Sequence, residues 1–250
     1  MVARESPFIS VIVPAYNEQG CIGANLQKIA GYLAAGFSRF EVIVVDDGST
    51  DGTPREISRA ARLDPRIKLI PIPANRGKGF AVREGVLQAE GDAIFFTDAD
   101  LSTPVEEIEA GLKGLNEDTP VVIASRRHPE SVIALYQSWA REGIGRLFNR
   151  CVKLLLSLPF QDTQCGFKCF TREAGRKIFS RALIDGFAFD VEILVIARRL
   201  GYRVNEIPVC WTNSPESKVR PLRDFARVAT DLLRIYRNDR AGLYGPQAGK

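Results

Sequence analysis

Long hydrophobic runs are absent from this sequence of 250 residues. No stretch reaches the roughly 20 consecutive apolar residues that a membrane-spanning helix needs, which argues against a chain that crosses a bilayer by itself. Residues 1–8 are too few and too polar for a secretory signal peptide, so we expect a cytoplasmic location. With 45% hydrophobic and 26% charged residues the composition is that of an ordinary globular protein, and we expect residues 1–250 to form one domain.

Histidine is nearly missing as well, since His128 is the only one. This argues against a zinc site and against a Ser-His-Asp triad. The cysteines are odd in number and lack the spacing of metal-binding fingers, which indicates reduced thiols. They are Cys21, Cys151, Cys165, Cys169 and Cys210.

The net charge of +4 conceals an uneven distribution. Residues 1–120 contain 12 basic and 18 acidic residues, a net −6, whereas residues 121–250 contain 22 basic and 12 acidic residues, a net +10. A basic half beside an acidic half suits an anionic partner such as phospholipid headgroups, a lipid phosphate or nucleic acid. We expect no nucleic acid partner, because the basic residues lie on helical apolar segments without an aromatic stacking platform or a known binding motif.

Two short apolar runs end in paired acids, and this is the most informative pattern in the sequence. The runs are residues 42–45 before Asp46 and Asp47, and residues 93–97 before Asp98 and Asp100. Such β-branched and aromatic runs predict strands buried on both faces, whose carboxyl ends form the ligand-binding edge of a parallel sheet. Asp98 and Asp100 share one side of the backbone, which suggests a divalent metal, and the metal in turn suggests a phosphate.

Alternating strand and helix patterns predict an α/β fold with a mostly parallel central sheet flanked by helices. The predicted strands are residues 9–14, 41–46, 67–72, 93–97, 121–125, 164–171 and 203–211. The predicted helices are one ending at about residue 35, one at 79–89, one beginning at Pro104, and those at 138–158, 173–180, 190–199 and 221–237. The helices at 138–158 and 221–237 are basic and amphipathic, a pattern typical of a core helix or of a membrane-surface helix.

Basic motifs follow other strand ends, and each is ambiguous by itself. Residues 76–79 combine two cations with two glycines, as in a phosphate loop, but the Walker spacing is missing, which argues against a P-loop NTPase. Arg126 follows a predicted strand and Lys218 precedes the last helix, where cations can neutralise a leaving diphosphate. Asp46 more plausibly contacts a base or ribose than a second metal.

Taken together, these motifs resemble glycosyltransferase family 2 in their order and spacing. The first part of the resemblance lies in residues 11–18, 44–53, 75–79 and 98–100. The second part narrows it to the dolichyl-phosphate β-glucosyltransferase branch, which is related to the dolichyl-phosphate mannose synthases. That part lies in residues 162–168, 187–192, 211–212 and 217–219.

The resemblance implies a GT-A, Rossmann-like fold that binds a nucleoside diphosphate sugar. Residues 9–125 would form the nucleotide-sugar-binding half, and residues 126–240 the half that faces the acceptor and a membrane. The implied ligands of Mg²⁺ or Mn²⁺ are Asp98, Asp100 and Ser102. The implied contacts to the nucleotide sugar are Pro14, Tyr16, Glu18, Asp46, Asp47, Lys78 and Asp98. The implied catalytic residues are Asp100, Arg126, Asp190 and Lys218.

The implied reaction is an inverting, metal-dependent transfer of glucose from UDP-glucose to a polyprenyl (dolichyl-type) phosphate. Two alternative donors, GDP-mannose and UDP-N-acetylhexosamine, stay open, and so does a glycan hydroxyl as the acceptor. Two other classes of protein also stay open: a non-catalytic nucleotide-sugar-binding protein and a nucleotidyltransferase. A hydroxyl acceptor would need a base, for which Asp190 and Glu192 are the candidates. Residues two apart on a helix do not share a face, so at most one of them points into the site.

If the acceptor is a lipid phosphate, the two basic helices would bind the membrane surface. Their apolar faces would rest among the headgroups while four cations meet anionic lipid, and packing on the sheet is the alternative. The cations are Arg141, Arg146, Arg150 and Lys153. Family glucosyltransferases carry an anchor before the first strand, and eight residues precede Ile9 here. We therefore expect peripheral attachment to the cytoplasmic face of a membrane. A homo-oligomer and a separate membrane-anchoring partner both stay open.

Overall fold

The computed structural model describes residues 6–135, 139–212 and 221–245. Within these ranges the structure describes the backbone but not the side chains of residues 135, 139–142, 144, 146, 147 and 221–226. The strands are β1 (Ile9–Ala15), β2 (Phe40–Asp46), β3 (Ile67–Pro71), β4 (Ala93–Thr97), β5 (Val121–Ser125), β6 (Val132–Leu135), β7 (Phe167–Thr171), β8 (Val204–Pro208) and β9 (Cys210–Thr212). The helices are α1 (Ile22–Gly36), α2 (Thr53–Leu63), α3 (Lys78–Gln88), α4 (Glu107–Gly114), α5 (Trp139–Leu156), α6 (Arg172–Phe179), α7 (Phe189–Arg199) and α8 (Pro221–Arg240).

Seven strands form one sheet in the order β3-β2-β1-β4-β7-β5-β8, and β6 pairs with β9 in a second sheet. β1 pairs in parallel with both β2 and β4, and β5 pairs in parallel with β8. Only β7 reverses the direction among the described strands of the large sheet, since it runs antiparallel to β4 and β5. The prediction of a mostly parallel α/β sheet is therefore confirmed.

The two faces of the large sheet carry separate hydrophobic cores. Val42 and Val44 face the core beneath α1, α2 and α4, while Ile43 and Val45 face the core beneath α3, α6 and α7. Because successive strand residues point to opposite faces, a strand covered on both sides is apolar throughout. This is why the continuous apolar runs identified β2 and β4 correctly.

The largest differences from the sequence prediction concern the strands predicted at 203–211 and 164–171 and the helix predicted from Pro104. Residues 203–211 form two strands, because β8 pairs with β5 in the large sheet while β9 pairs with β6 in the small one. The strand predicted at 164–171 begins only at Phe167, and the helix predicted from Pro104 begins at Glu107, after a turn. β6 was not predicted at all; it is a four-residue strand whose Val132 is 60% exposed.

Both basic helices pack against the core of the protein. On α5 the side chains of Phe148 and Val152 are buried, whereas Leu154 is 85% exposed. On α8, Leu232 and Ile235 are buried in the same core. Packing against this core, in which α5 contacts α8 and α8 contacts α7, therefore accounts for one apolar face of each helix. In the described part of the chain, no helix combines the length and the apolar character required to cross a membrane.

Candidate active site

The carboxyl edge of the large sheet gathers the acids that follow the apolar runs. β1 lies between β2 and β4, so the loops that leave these three parallel strands meet at one edge. β2 ends at Asp46, and Asp98 follows Thr97, the last residue of β4. Both acid pairs therefore lie at strand ends, as the sequence predicts.

Asp98 forms an ion pair with Lys78, the first residue of α3, with 2.6 Å between Lys78 Nζ and Asp98 Oδ1. The Asp98 side chain is about one-third exposed, at 35%. Burial opposes the charged form of Lys78, but the carboxylates of Asp98, Asp190 and Asp100 outweigh burial and raise the pKa of the Lys78 ammonium. The loop before α3 thus fixes a cation beside the first acid.

Gly166, just before β7, makes room for the Asp98 carboxylate. A Cβ atom added to Gly166 would lie 2.0 Å from Asp98 Oδ2, far inside van der Waals contact. Any side chain there would displace the carboxylate. The motif at 162–168 was recognised from the sequence, but this contact was not, because the two residues are distant in sequence.

Asp100 lies in a tight turn after β4. Leu101 has a φ angle of 50°, in the left-handed region, and the Ser102 backbone N–H donates to Asp100 Oδ1 at 2.9 Å. The Ser102 carbonyl in turn accepts a hydrogen bond from the Thr212 N–H at 2.9 Å, which ties the turn to β9. The turn is therefore held from two sides.

The chemistry of these donors fits a hard divalent cation. Carboxylate oxygens, as on Asp98 and Asp100, are ligands that Mg²⁺ and Mn²⁺ prefer, and Mg²⁺ commonly takes one or two carboxylates together with substrate phosphates. Across residues 6–135, 139–212 and 221–245, no three His, Cys, Asp or Glu side chains converge as a metal-binding group. The set of donors suits a metal shared with a bound phosphate better than a closed protein cage.

Arg126 is anchored by Asp162. The guanidinium donates to both carboxylate oxygens, at 2.7 and 2.9 Å, and the Arg126 backbone N–H adds a third bond at 3.1 Å. Burial alone would raise the pKa of Asp162, but Arg126 holds it down at about 2. Burial likewise opposes the charge on Arg126, yet Asp162 raises the pKa of that guanidinium, with a smaller contribution from Asp98. Arg126 is thus a fixed cation near Asp98, and its bidentate pairing with Asp162 was not predicted from the sequence.

The carboxylates of Asp46 and Asp47 accept hydrogen bonds from different loops. Asp46 is buried and accepts a hydrogen bond from the Ser49 N–H at 3.3 Å. The two oxygens of Asp47 accept from the backbone N–H groups of Arg76 and Gly77, at 2.8 and 2.7 Å. Asp47, predicted as a nucleotide contact, therefore fastens the loop that carries Lys78. Burial raises the pKa of Asp47 against the effect of these two bonds.

The loop after β1 brings the other predicted nucleotide contacts to the same edge. Pro14 pairs with Val45 of β2, and Tyr16 is 40% exposed just beyond it. Glu18 Oε2 accepts a weak hydrogen bond from the Cys21 thiol, with 3.5 Å between the oxygen and the sulfur. Asn17, for which the sequence predicts no separate role, links the loops, since its N–H donates to Ser49 Oγ at 2.8 Å and its Oδ1 accepts from the Thr50 N–H at 2.8 Å.

Asp190 and Glu192 occupy different environments at the start of α7, as their helical spacing predicts. Glu192 accepts hydrogen bonds from the Leu183 and Ile184 N–H groups and from the Tyr244 hydroxyl, the last at 2.7 Å. Asp190 Oδ1 lies 2.5 Å from the ammonium of Lys168 and interacts electrostatically with Lys78 and Asp98. Of the two acids, Asp190 is therefore the one that lies near Lys78 and Asp98.

A groove beside α5 carries further positive charge. We call it the basic groove; it encloses about 390 Å³ and is lined by Arg127, Asn149, Arg150, Lys153, Pro159 and Gln161. The Arg127 guanidinium donates to the Gln161 carbonyl at 3.1 Å, which fixes one wall. Lys218, and the side chains of Arg141 and Arg146, lie outside the described residues.

A known family matches the part of the chain that forms this site. The family described as Glycosyl transferase family 2 matches residues 10–184, more than half of the chain. The chain belongs to glycosyl transferase family 2. It is thus an enzyme of the family 2 glycosyltransferases, as the motifs predict.

Curated relatives extend the similarity beyond the family segment. A dolichyl-phosphate beta-glucosyltransferase of Trichomonas vaginalis is 36% identical over 247 residues, which cover 95% of this chain and 73% of the relative. A dolichyl-phosphate beta-glucosyltransferase of Homo sapiens is 35% identical over 240 residues, which cover 91% of this chain and 74% of the relative. The predicted resemblance to this branch is confirmed.

A solved structure shows the same fold. Glucosyl-3-phosphoglycerate synthase from Mycobacterium tuberculosis, in complex with Mn²⁺, UDP and phosphoglyceric acid, aligns with a TM-score of 0.64 at 19% identity. The alignment covers 97% of this chain and 81% of that one. This family 2 enzyme therefore has the predicted GT-A fold.

Proposed function

We propose that this enzyme transfers glucose from UDP-glucose to the phosphate of a polyprenyl lipid of the dolichyl type, with inversion at the anomeric carbon. The observation that carries the proposal is the acid pair Asp98 and Asp100, beside Lys78, in a chain whose relatives named as dolichyl-phosphate beta-glucosyltransferases match it over 91–95% of its length.

The nucleotide sugar would bind at the carboxyl edge of the sheet. Pro14, Tyr16, Glu18 and Asp46 would contact the nucleoside, which fits their positions at the carboxyl ends of β1 and β2 and in the loop after β1. Lys78 would approach the diphosphate, since the loop held by Asp47 already places its ammonium beside Asp98. Lys218 is assigned to the phosphates on the family motif alone.

Asp98 and Asp100, with Ser102 in the same turn, would hold Mg²⁺ or Mn²⁺. The metal would neutralise negative charge on the diphosphate as it leaves. Mn²⁺ and UDP in the mycobacterial synthase support this assignment. Lys78 and Arg126 would add fixed positive charge that stabilises the transition state more than the ground state.

In the bond-making step, an oxygen of the acceptor phosphate forms a bond to the anomeric carbon of glucose. The bond from that carbon to the β-phosphate oxygen of UDP breaks, and its electron pair leaves with UDP. The transition state resembles an oxocarbenium ion, as in other glycosyl chemistry. A phosphate acceptor is already an oxyanion at neutral pH, so this step requires no general base.

Positive charge on the acceptor side supports an anionic acceptor at a membrane surface. The basic groove places Arg150 and Lys153 on α5, next to the exposed Leu154. Cations beside an exposed apolar side chain are typical of surfaces that meet anionic lipid. We therefore propose peripheral attachment to the cytoplasmic face of a membrane, with a membrane-anchoring partner or a homo-oligomer as open arrangements.

A donor and acceptor screen tests the function. The purified protein would be incubated with Mg²⁺, polyprenyl phosphate and radiolabelled UDP-glucose, GDP-mannose or UDP-N-acetylglucosamine. We expect label in the organic phase with UDP-glucose and polyprenyl phosphate, and none when polyprenyl alcohol replaces the phosphate. Transfer only from another donor, or only to a hydroxyl acceptor, would reject this proposal in favour of the corresponding alternative.

A further inference from the structure

Lys168 is a buried charge that takes no part in the proposed transfer step. It lies on β7, the antiparallel strand between β4 and β5, and its side chain is fully buried. The ammonium donates to the Cys165 carbonyl at 2.8 Å and to Asp190 Oδ1 at 2.5 Å, and it lies 5.2 Å from the centre of the Phe96 ring. Lys168 thus connects the centre of the sheet to the start of α7.

Stability alone does not explain a charged pair at this position. Burying an ammonium and a carboxylate carries a desolvation cost that their attraction repays only in part, and well-packed apolar residues often serve as well or better. The neighbours of Lys168 on the strand, Phe167, Cys169 and Phe170, are all buried. The effect of Lys168 on Asp190 offers a more specific reason for the lysine.

Charged side chains on three different elements surround the Asp190 carboxylate. Lys168 faces it from β7, Lys78 from the start of α3, and Asp98 from the end of β4. Burial is the largest influence and, with Asp98, leaves the pKa of Asp190 above its usual value, although Lys168 and Lys78 both lower it. Lys168 is the one of these groups that makes a short, direct hydrogen bond to the carboxylate.

We propose that Lys168 is a positioning residue that acts through Asp190: the buried ion pair fixes one carboxylate oxygen of Asp190 beside the bound nucleotide sugar. The inference rests on the proposed function in placing the sugar nucleotide at this edge. Lys168 itself touches no substrate, because it is enclosed by Cys165, Asp190 and Phe96.

The test compares Lys168→Met, Asp190→Asn and the double variant. For Lys168→Met we expect kcat to fall by about tenfold or more, with a smaller change in KM for UDP-glucose. The acid limb of the pH profile should move to higher pH, because a carboxylate without its cation is harder to ionise. In the Asp190→Asn background, Lys168→Met should change kcat by less than about twofold, since coupled residues are not additive. Lys168→Arg, which keeps the charge, should leave the acid limb in place.

Lys68→Met is the matched control. Lys68 also pairs with a buried carboxylate, that of Glu41 at 2.7 Å, but on β3 and without contact to the acids of the site. Its loss should leave the pH profile unchanged. Equal losses of kcat from Lys168→Met in the wild-type and Asp190→Asn backgrounds would overturn the proposal, as would an unmoved acid limb.

Two further measurements test the inference even if the wild type transfers no glucose or if Lys168→Met does not fold. An NMR titration of ¹³C-labelled aspartate follows the Asp190 signal directly, and its pKa should rise in Lys168→Met even if the wild type transfers no glucose. An unchanged pKa would contradict the inference separately from the proposed function. If Lys168→Met does not fold, the double variant should fold, because it removes the unpaired carboxylate; unfolding of both would make Lys168 a purely structural residue.

Discussion

Individual side chains at the carboxyl edge are held by partners far away in sequence. Asp98 pairs with Lys78 and packs on Gly166, and Arg126 pairs with Asp162, 36 residues further along the chain. The strand-end position of the acids followed from the apolar runs before them. Their partners did not, because a contact between loops depends on how the strands are ordered in the sheet.

Gly166→Ala should damage the site without unfolding the protein. The new methyl group would lie 2.0 Å from Asp98 Oδ2, so the carboxylate must move. Displacements of about 1 Å at a reacting centre can cost about 100-fold in rate, and we expect a loss of that order in kcat/KM together with weaker Mn²⁺-dependent UDP binding by calorimetry.

Gly31→Ala on α1 is the control for this substitution, because a Cβ atom there meets nothing within 4 Å. It should leave UDP binding unchanged. Gly166→Ala with normal UDP binding and normal turnover would contradict the assignment of Asp98 to the site.

Asp162 should make stability depend on pH in the acid range. The pKa of this carboxyl in the folded protein is about 2, below its usual value near 3.8. The folded state therefore gains stability that is complete above about pH 4 and is lost as the pH falls towards 2, roughly 2 kcal/mol in all. Urea unfolding between pH 2 and 6 should show a shallower acid loss for Asp162→Asn than for the wild type. Equal pH slopes would argue against an ion pair with Arg126 in solution.

Whole elements show which parts of the fold a local pattern can predict. β2 and β4 were found because they are apolar on both faces, and α5 and α8 because their apolar residues repeat with helical spacing. The sequence pattern predicts β8 and β9 as one strand, because only their pairing with β5 and with β6, in different sheets, separates them. Short, half-exposed β6 carried too weak a pattern to be recognised.

A buried hydrogen bond from Tyr244 attaches the segment after α8 to α7. The Tyr244 hydroxyl donates to Glu192 Oε1 at 2.7 Å, and Tyr244 is fully buried. Tyr244→Phe should lower the free energy of unfolding by about 1–3 kcal/mol, because it removes a charge-assisted hydrogen bond to the buried Glu192 carboxylate and leaves the Asn238 side-chain amide without its acceptor. Chemical denaturation measures this loss.

Tyr236→Phe on α8 serves as the comparison, because Tyr236 is only half-buried and its ring contact with Arg240 does not depend on the hydroxyl. It should cost well under about 1 kcal/mol. Equal stability of the two variants would mean that the bond to Glu192 contributes little.

For the molecule as a whole, the acidic first half and the basic second half correspond to two proposed functions. The acids supply the nucleotide-sugar edge, while the cations of the basic groove lie on the side assigned to an anionic acceptor. Family membership and the GT-A fold follow from motifs that are local in sequence. The donor, the acceptor and membrane attachment depend on contacts with molecules outside the chain, which a local sequence pattern does not specify.

Glucose transfer by Asp98→Ala tests the central claim most directly. The initial rate of transfer from radiolabelled UDP-glucose to polyprenyl phosphate would be measured for the wild type, for Asp98→Ala, and for Asp118→Ala, which removes an exposed carboxylate just before β5 at the opposite edge of the sheet. We expect efficient transfer by the wild type and by Asp118→Ala, and a loss of about 100-fold or more in Asp98→Ala. Full activity of Asp98→Ala would contradict a catalytic site built on this acid pair.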